Sequence, residues 1–215
     1  MSETKSTKCP LPLYHGTSTL FVDSIKEFGL GGKDIIQEGK VLEFAKRIFP
    51  LVNDNLPKDG VFYAFKDMVD QTPLYQHGQV YLSLSYDYCT YFTLNRKFGS
   101  ELITYSLKFY ENLLAKNIVS PDLLNDYPYL KEVKDLKPEP VVVKIKDVDW
   151  DNLLKVDGSA LTTEFIEYIQ SILEQDDPIV KEGLQRAYRF RLKNPVPSDE
   201  IEFDFNPSAK YPENI

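Results

Sequence analysis

The stretch Tyr14-His15-Gly16-Thr17 lies between an apolar run and an amphipathic segment, and it decides the predicted fold. The apolar residues before it predict a short strand that ends near His15, because Gly16 permits an abrupt change of backbone direction. The hydroxyl of Thr17, or of the serine after it, is predicted to cap a helix over residues 19–28. A glycine then ends that helix in a left-handed conformation. The pattern therefore predicts a strand–turn–helix unit.

Hydrophobic periodicity predicts further strands and helices along the chain. Their order is mixed rather than a regular alternation of strands and helices, which favours the α+β class. Residues 101–116 have a helical period, although residues 102–109 also fit a strand. Helices are predicted over residues 38–56 and 86–98 and from Thr162 or Thr163 to about residue 174, and strands over residues 61–65, 79–85, 141–145, 187–192 and 200–205.

Length and composition are those of a folded domain. The chain has 215 residues, which fits one domain, or one domain with a sizeable insertion. Hydrophobic residues make up 42% and charged residues 27%, so disorder is not expected to be the main state. We predict a flexible tail at residues 1–10, a single domain at residues 11–205 with a variable insertion around residues 100–140, and a C-terminal tail at residues 206–215.

Charge, cysteine content and apolar run length disfavour several classes of protein. The net charge of -8 disfavours general nucleic-acid binding, which needs a clustered positive face. Two distant cysteines, Cys9 and Cys89, and only two histidines make a metal site hard to assemble, so no metal is predicted. Residues 1–8 lack the apolar core of a signal peptide, and no apolar run approaches the ~20 residues of a membrane-spanning helix. The sequence predicts a cytoplasmic protein without a membrane partner.

Three residues at strand ends are candidates for chemistry, and each also has a structural interpretation. His15 precedes a glycine that lets the backbone approach a flat amide such as nicotinamide, although a lone histidine more often bonds a nearby carbonyl. Tyr81 offers a flat face for stacking a heteroaromatic ring, but aromatic residues are common in sheets. Glu200 could stabilise positive charge at an anomeric carbon, or it could be a solvated carboxylate at a sheet edge.

These motifs occur in an order that resembles one protein family. The motif at residues 14–17 is followed by a helix ending in Gly-Leu, by Val-Tyr-Leu-Ser at residues 80–83, and by a strand that starts with Glu200. The combination resembles the His-Tyr-Glu branch of the ADP-ribosyltransferases, the lineage of diphtheria toxin and the poly(ADP-ribose) polymerases. Its local sequence is similar to the rifamycin ADP-ribosyltransferases and the RNA 2'-phosphotransferases. The resemblance covers residues 13–31, 79–92 and, with a weaker match, 186–203.

The resemblance implies a split β-sheet with flanking helices that grips NAD between its halves. His15 would hydrogen-bond a ribose hydroxyl of NAD, and the backbone of Gly16 would hold the nicotinamide carboxamide. Thr17 would lie beside the adenosine half. NAD would serve as a substrate, and no metal would be needed.

The second and third motifs imply the rest of the site. Tyr81 would stack on the nicotinamide ring, and Ser83 and Tyr91 would belong to the same set of NAD-binding residues. Glu200 would bind the nicotinamide ribose and orient the acceptor, and it would form the catalytic trio with His15 and Tyr81. The implied activity is mono-ADP-ribosyl transfer, with release of nicotinamide, to an acceptor that is a protein, a nucleic acid or a small molecule. With this activity, the protein would be a toxin or an effector.

The sequence departs from the family pattern in two places. Residues 86–92 are rich in aromatic side chains where many relatives have alanines, which leaves the size of the pocket floor open. The third motif is short, so Asp199 or Glu202 is an alternative to Glu200 as the working carboxylate. His77 also precedes a glycine, but no helix follows it, and we interpret it as structural or solvent-facing.

Two other functions stay open at this point. The domain could keep this scaffold and only bind a nucleotide or a partner protein, as its acidity and the unmatched middle of the chain suggest. Transfer of a 2'-phosphate from RNA needs basic residues around the site, and the acidic balance disfavours it. The resemblance does not identify the acceptor.

Overall fold

A computed structural model describes residues 8–72 and 75–208 of the chain. Most of the two predicted tails, residues 1–7 and 209–215, lies outside the described residues.

The chain divides into two units, and each is made of segments that are separate in the sequence. The first unit contains the residues up to 33, residues 79–95 and the residues from 139 onward. The second unit contains residues 34–78 and 96–138. The insertion predicted around residues 100–140 falls mainly in the second unit, which also includes an earlier segment that the sequence pattern did not single out.

The strands of the described residues lie in the first unit. Three consecutive valines form the centre of the third strand, since β-branched side chains fit a pleated surface. The strands are β1 (Leu13–Ser18), β2 (Tyr81–Ser83), β3 (Pro140–Ile145), β4 (Leu153–Lys155), β5 (Arg189–Leu192) and β6 (Ile201–Asp204).

Several helices begin at a polar cap. The side chains of Asp59, Ser85 and Ser100 each accept a hydrogen bond from a backbone amide in the first turn of the helix that follows. The helices are α1 (Thr19–Phe28), α2 (Ile35–Glu38), α3 (Val41–Asn55), α4 (Gly60–Val69), α5 (Tyr86–Leu94), α6 (Glu101–Ala115), α7 (Pro128–Val133), α8 (Thr163–Ser171) and α9 (Pro178–Ala187).

The six strands form one antiparallel sheet in the order β4-β5-β2-β1-β3-β6. β1 pairs with β3 along its whole length, from Leu13 opposite Ile145 onward. In contrast, the pairing of β1 with β2 is limited to Tyr14 opposite Ser83. The sheet therefore consists of two three-stranded halves joined at one residue pair, and we call this junction the seam. The helices and the antiparallel sheet confirm the predicted α+β class.

One face of the sheet, the core face, is apolar. Side chains alternate along each strand, and Leu13, Leu82, Val143 and Phe190 fall on this face, each at most 1% exposed. Ile169 of α8 belongs to the same buried cluster. The core of the first unit therefore lies between the sheet and α8.

The opposite face, the α5 face, carries Tyr14, Gly16, Tyr81, Ser83 and Arg191. Helix α5 packs against it, and the contact is close enough that the Gly16 Cα lies directly beneath the α5 backbone. This face is the more polar of the two, and it carries three of the predicted functional residues, whereas His15, opposite Val143, falls on the core face.

The second unit has its own aromatic core. The ring centroids of Phe44 and Tyr127 are 4.9 Å apart, as are those of Phe65 and Phe109. Such pairs add stability beyond the burial of their surface. Aliphatic residues of the same unit are also fully buried: Val41, Ala45, Ile48, Val52, Ile103, Leu113 and Leu130.

The structure corrects two predictions of local structure. The strand predicted to end near His15 continues through Gly16 to Ser18, because Gly16 provides a close approach to α5 rather than a turn. The strand predicted over residues 61–65 is part of α4, since the Asp59 side chain accepts a hydrogen bond from the Phe62 amide at 2.9 Å and caps a helix there.

One segment was ambiguous between helix and strand in the sequence, and two elements of the structure were not predicted. The ambiguous segment over residues 102–109 is helical and lies within α6. Strand β4 and helix α9 had no counterpart in the sequence prediction. β4 has three residues, which is too short for a clear periodic pattern.

Candidate functional site

His15 and Tyr81, two of the three predicted catalytic residues, meet beside the seam. β1 and β2 pair in register at Tyr14 and Ser83, and the His15 ring extends this link with Nδ1 2.9 Å from the Tyr81 carbonyl oxygen. A carbonyl oxygen can only accept, so Nδ1 carries the proton and donates it. The His15 side chain thereby links the two halves of the sheet.

The other ring nitrogen of His15 is left as an acceptor. Burial lowers the pKa of His15, and the hydrogen bond to the Tyr81 carbonyl partly opposes that shift. The neutral ring with its proton on Nδ1 has a lone pair on Nε2. Nε2 can therefore accept a hydrogen bond from a ligand hydroxyl.

The free energy of unfolding is expected to fall as the pH drops below about 6.5, the ordinary pKa of histidine. Burial lowers the pKa of both His15 and His77 in the folded protein. The unfolded chain therefore binds more protons in this range, and acidification favours it. Urea denaturation between about pH 7 and about pH 5.5 measures the loss of unfolding free energy. This loss should be smaller in His15→Gln than in the native protein. A native protein that becomes more stable on acidification would contradict the prediction.

Gly16 and Thr17 lie buried under α5. A Cβ on Gly16 would lie 2.6 Å from the Cys89 carbonyl oxygen, so glycine is what lets β1 pass this close to α5. The Thr93 hydroxyl donates a hydrogen bond to the Thr17 carbonyl. Both residues thus pack β1 against α5, and their binding of NAD stays a prediction.

Of the remaining predicted NAD-binding residues, the two tyrosines are accessible and the serine is not. Ser83 is 2% exposed, and its hydroxyl accepts a hydrogen bond from the Ser85 amide at 3.1 Å. Tyr81 is half-buried, and Tyr91 on α5 is 41% exposed. A ligand ring can therefore reach Tyr81 and Tyr91, whereas Ser83 supports the start of α5.

Glu200 lies apart from His15 and Tyr81. It is exposed in the 3-10 turn Ser198–Glu200, directly before the edge strand β6. His15 is level with Val143 and, across β3, with Phe203. Glu200 precedes Phe203 by three positions, which is about 10 Å along an extended chain, and β3 lies between β6 and β1. The structure brings His15 and Tyr81 together but does not bring Glu200 to them.

The two alternative carboxylates differ in position. Asp199 is exposed in the same turn as Glu200. Glu202 forms ion pairs with Lys146 and, at 3.1 Å, with Lys144. Hydrogen bonds from these two lysines lower the pKa of Glu202, which is therefore ionised at neutral pH. Glu202 is opposite Lys144, which is opposite Tyr14, so it shares the α5 face.

A cavity with a volume of about 650 Å³ opens on the α5 face. The rings of Tyr14 and Tyr86 line it and meet edge to face with centroids 5.5 Å apart. Glu202 also lines it, whereas His15, Tyr81 and Glu200 are absent from its lining among the residues that the structure describes. The cavity therefore adjoins one alternative carboxylate and not the predicted trio.

Sequence reasoning missed Arg191, which lies opposite Tyr81. The register of β2 and β5 places Tyr81 opposite Arg191, and Ser83 opposite Arg189. Directly opposite residues share a face, so a cation and not a carboxylate neighbours Tyr81. The spacing of the two arginines was a usable signal, because residues two apart on a strand point to the same side.

Neither a metal site nor a membrane-spanning helix is found in the described residues, and no known protein matches the chain. Within residues 8–72 and 75–208, no group of three or more His, Cys, Asp or Glu residues is placed to hold a metal ion. No helix in this described part of the chain has both the length and the apolar character to cross a membrane. A scan against protein-family models and searches of curated proteins and of solved structures returned no match.

Proposed function

We propose that the protein binds NAD at the seam and transfers ADP-ribose to an acceptor, with release of nicotinamide. The observation that carries this proposal is the hydrogen bond from His15 Nδ1 to the Tyr81 carbonyl oxygen. It holds the His15 ring, with a neutral acceptor at Nε2, against the backbone of Tyr81, whose half-buried aromatic side chain is on the α5 face. These are the groups that a ribose hydroxyl and a nicotinamide ring need. The limited pairing of β1 with β2 supports the same proposal, because a ligand can bind where two strands separate.

The proposed reaction breaks the bond between C1 of the nicotinamide ribose and the pyridinium nitrogen. The bonding electron pair leaves with that nitrogen, so nicotinamide departs neutral while positive charge builds up on the ribose. An acceptor nucleophile then bonds to C1, and its proton passes to a base or to water. In this scheme His15 fixes the ribose by accepting from a hydroxyl, and Tyr81 holds the nicotinamide ring by stacking.

Release of nicotinamide from NAD in the presence of cell lysate tests the proposal. We expect release by the native protein and about a tenfold lower rate in His15→Ala, which removes one hydrogen bond to the ribose. His77→Ala is the matched control, because His77 also bonds a backbone carbonyl, with its Nε2 2.6 Å from the Met68 oxygen, but lies in the second unit. Equal rates in His15→Ala and the native protein would refute the site.

The same assay assigns the carboxylate that stabilises the ribose charge. Because Glu202 shares the α5 face with Tyr81, we expect Glu202→Gln to slow release more than Glu200→Gln or Asp199→Asn. A larger loss in Glu200→Gln would restore the role that the family resemblance implies for Glu200.

A second candidate function is binding of a nucleotide without turnover. The position of Glu200 favours it, as does the cation opposite Tyr81, since a nearby positive charge opposes formation of an oxocarbenium ion. Calorimetry with NAD separates the two functions. Heat of binding without any nicotinamide release would select the second function, and measured turnover would dismiss it.

A further inference from the structure

Arg191 is a buried arginine without a counter-charge. It is 9% exposed and lies within β5, between Tyr81 of β2 and Leu154 of β4. Within residues 8–72 and 75–208, no carboxylate forms an ion pair with its guanidinium, and its Nε has no hydrogen-bond acceptor. A buried charge with unmet hydrogen bonds is costly, and such a group in a folded protein calls for a specific partner.

Other arginines of the chain show the contrast. Arg47, Arg96 and Arg186 are more exposed than Arg191, yet each forms an ion pair with a carboxylate at 2.7–3.0 Å. Exposed pairs of this kind contribute little to stability, because water already solvates the charges. In the described residues, Arg191 is more buried than these three arginines but lacks the carboxylate partner that each of them has.

The position of the Arg191 side chain is fixed by a tight turn. Gly158 has φ +87°, and a Cβ on it would lie 2.8 Å from Arg191 Nη1, so the turn passes directly over the guanidinium. Hydrogen bonds from the Gly158 amide to the Lys155 carbonyl and from the Lys155 amide to the Ser159 carbonyl hold the turn. A site of this kind is preorganised, since the guanidinium does not have to be ordered when a ligand binds.

A second cation stands on the same face. Arg189 is two residues before Arg191 on β5, so their Cα atoms are about 7 Å apart. The Arg189 guanidinium bonds the Tyr88 hydroxyl at 3.0 Å and lies over the Tyr88 ring. Arg189 is exposed, so an anion can approach this face from the solvent side at Arg189.

We propose that Arg191, assisted by Arg189, binds a phosphate group of a ligand that lies against Tyr81. A phosphate has enough acceptor oxygens to serve Nε of one guanidinium and the N–H groups of the other, and it carries the charge that two arginines match. A carboxylate has fewer oxygens and a single charge. The site does not depend on cleavage of NAD. Binding of phosphate by itself tests it.

Titration calorimetry with inorganic phosphate and pyrophosphate tests the site, in chloride buffers of equal ionic strength. We expect the native protein to bind both ions, and Arg191→Met to bind them at least about tenfold more weakly, because charge-assisted hydrogen bonds are lost. Arg47→Met is the matched control, since Arg47 is an arginine of the second unit and should leave binding unchanged. Arg191→Lys keeps the charge without the forked donors, and it should bind with intermediate affinity.

Thermal unfolding provides the second readout. In chloride alone Arg191→Met should be at least as stable as the native protein, because the substitution removes an unpaired buried charge and keeps the apolar stem. Phosphate should raise the midpoint of the native protein and not that of Arg191→Met. Equal affinities in the native protein and Arg191→Met, or no binding by the native protein, would overturn the proposal.

A further arm with ADP-ribose identifies the source of the phosphate. If Arg191→Met weakens ADP-ribose binding as much as phosphate binding, the site holds the diphosphate of a nucleotide. If only phosphate and pyrophosphate binding are weakened, the site holds a phosphate from another ligand. Nicotinamide release is measured separately, so failure of NAD cleavage leaves phosphate binding intact and is distinguishable from failure of this site.

Discussion

Replacement of Phe190 with alanine is expected to lower the free energy of unfolding by about 3–5 kcal/mol. Phe190 is fully buried at the centre of β5. Its ring meets Trp150 and Phe165 edge to face, with centroids 6.4 Å and 6.3 Å away. Alanine would remove those contacts and leave a cavity between the sheet and α8 that neighbours can only partly fill.

Urea denaturation followed by circular dichroism measures this loss. Phe205→Ala is the matched control, because Phe205 is 42% exposed. Truncation at such a surface position should cost less than about 1 kcal/mol of unfolding free energy. Similar losses in the two variants would mean that the core face of the sheet does not anchor the first unit.

Replacement of Gly16 with valine is expected to cost about 1–3 kcal/mol or more, from overpacking alone. The added Cβ would lie 2.6 Å from the Cys89 carbonyl oxygen and 3.2 Å from Cδ1 of Phe92. The nearer atom belongs to the backbone of α5, so relief requires a shift of the whole helix away from β1. That shift would also displace Tyr91, and we expect any NAD binding to weaken together with stability.

Thermal unfolding of Gly16→Val and Gly183→Val makes the comparison direct. Gly183 lies inside α9, and an added Cβ would meet no atom within 4 Å apart from its chain neighbours and the backbone of its own helix. Valine is also a better helix former than glycine. Gly183→Val should therefore be neutral or slightly stabilising. A Gly16→Val protein as stable as Gly183→Val would show that β1 and α5 are not in close contact.

The parts of the fold that sequence reasoning predicted are those set by neighbouring residues. Helix α1 has the bounds that were predicted, Thr19–Phe28, because its apolar stripe and Gly29, with φ 79°, lie next to each other in the chain. The valines of β3 predicted a strand in the same way. Where the local signal was ambiguous, as at Gly16, the deciding contact came from a distant helix.

The candidate site was only partly predictable because it depends on register. His15 and Tyr81 are 66 positions apart, yet the motifs around them predicted a shared site, and the structure places the His15 ring 2.9 Å from the Tyr81 carbonyl oxygen. No local pattern shows that Tyr81 is opposite Arg191, or that Glu200 lies in the turn before the edge strand β6, away from the level of His15. Those facts follow from strand order and pairing, which are non-local.

The central position of β1 has a consequence for how the chain folds. β1 is the first strand in the sequence, but its partners β2 and β3 follow only after long helical segments. Contacts between such distant residues make folding slow, since a large loop has to close before pairing stabilises it. While the chain grows on the ribosome, β1 keeps both hydrogen-bonding edges open until β2 and then β3 emerge. A nascent chain that stalls before β3 would carry a strand with one edge unpaired along its whole length, so this interval is when aggregation or chaperone capture is most to be expected.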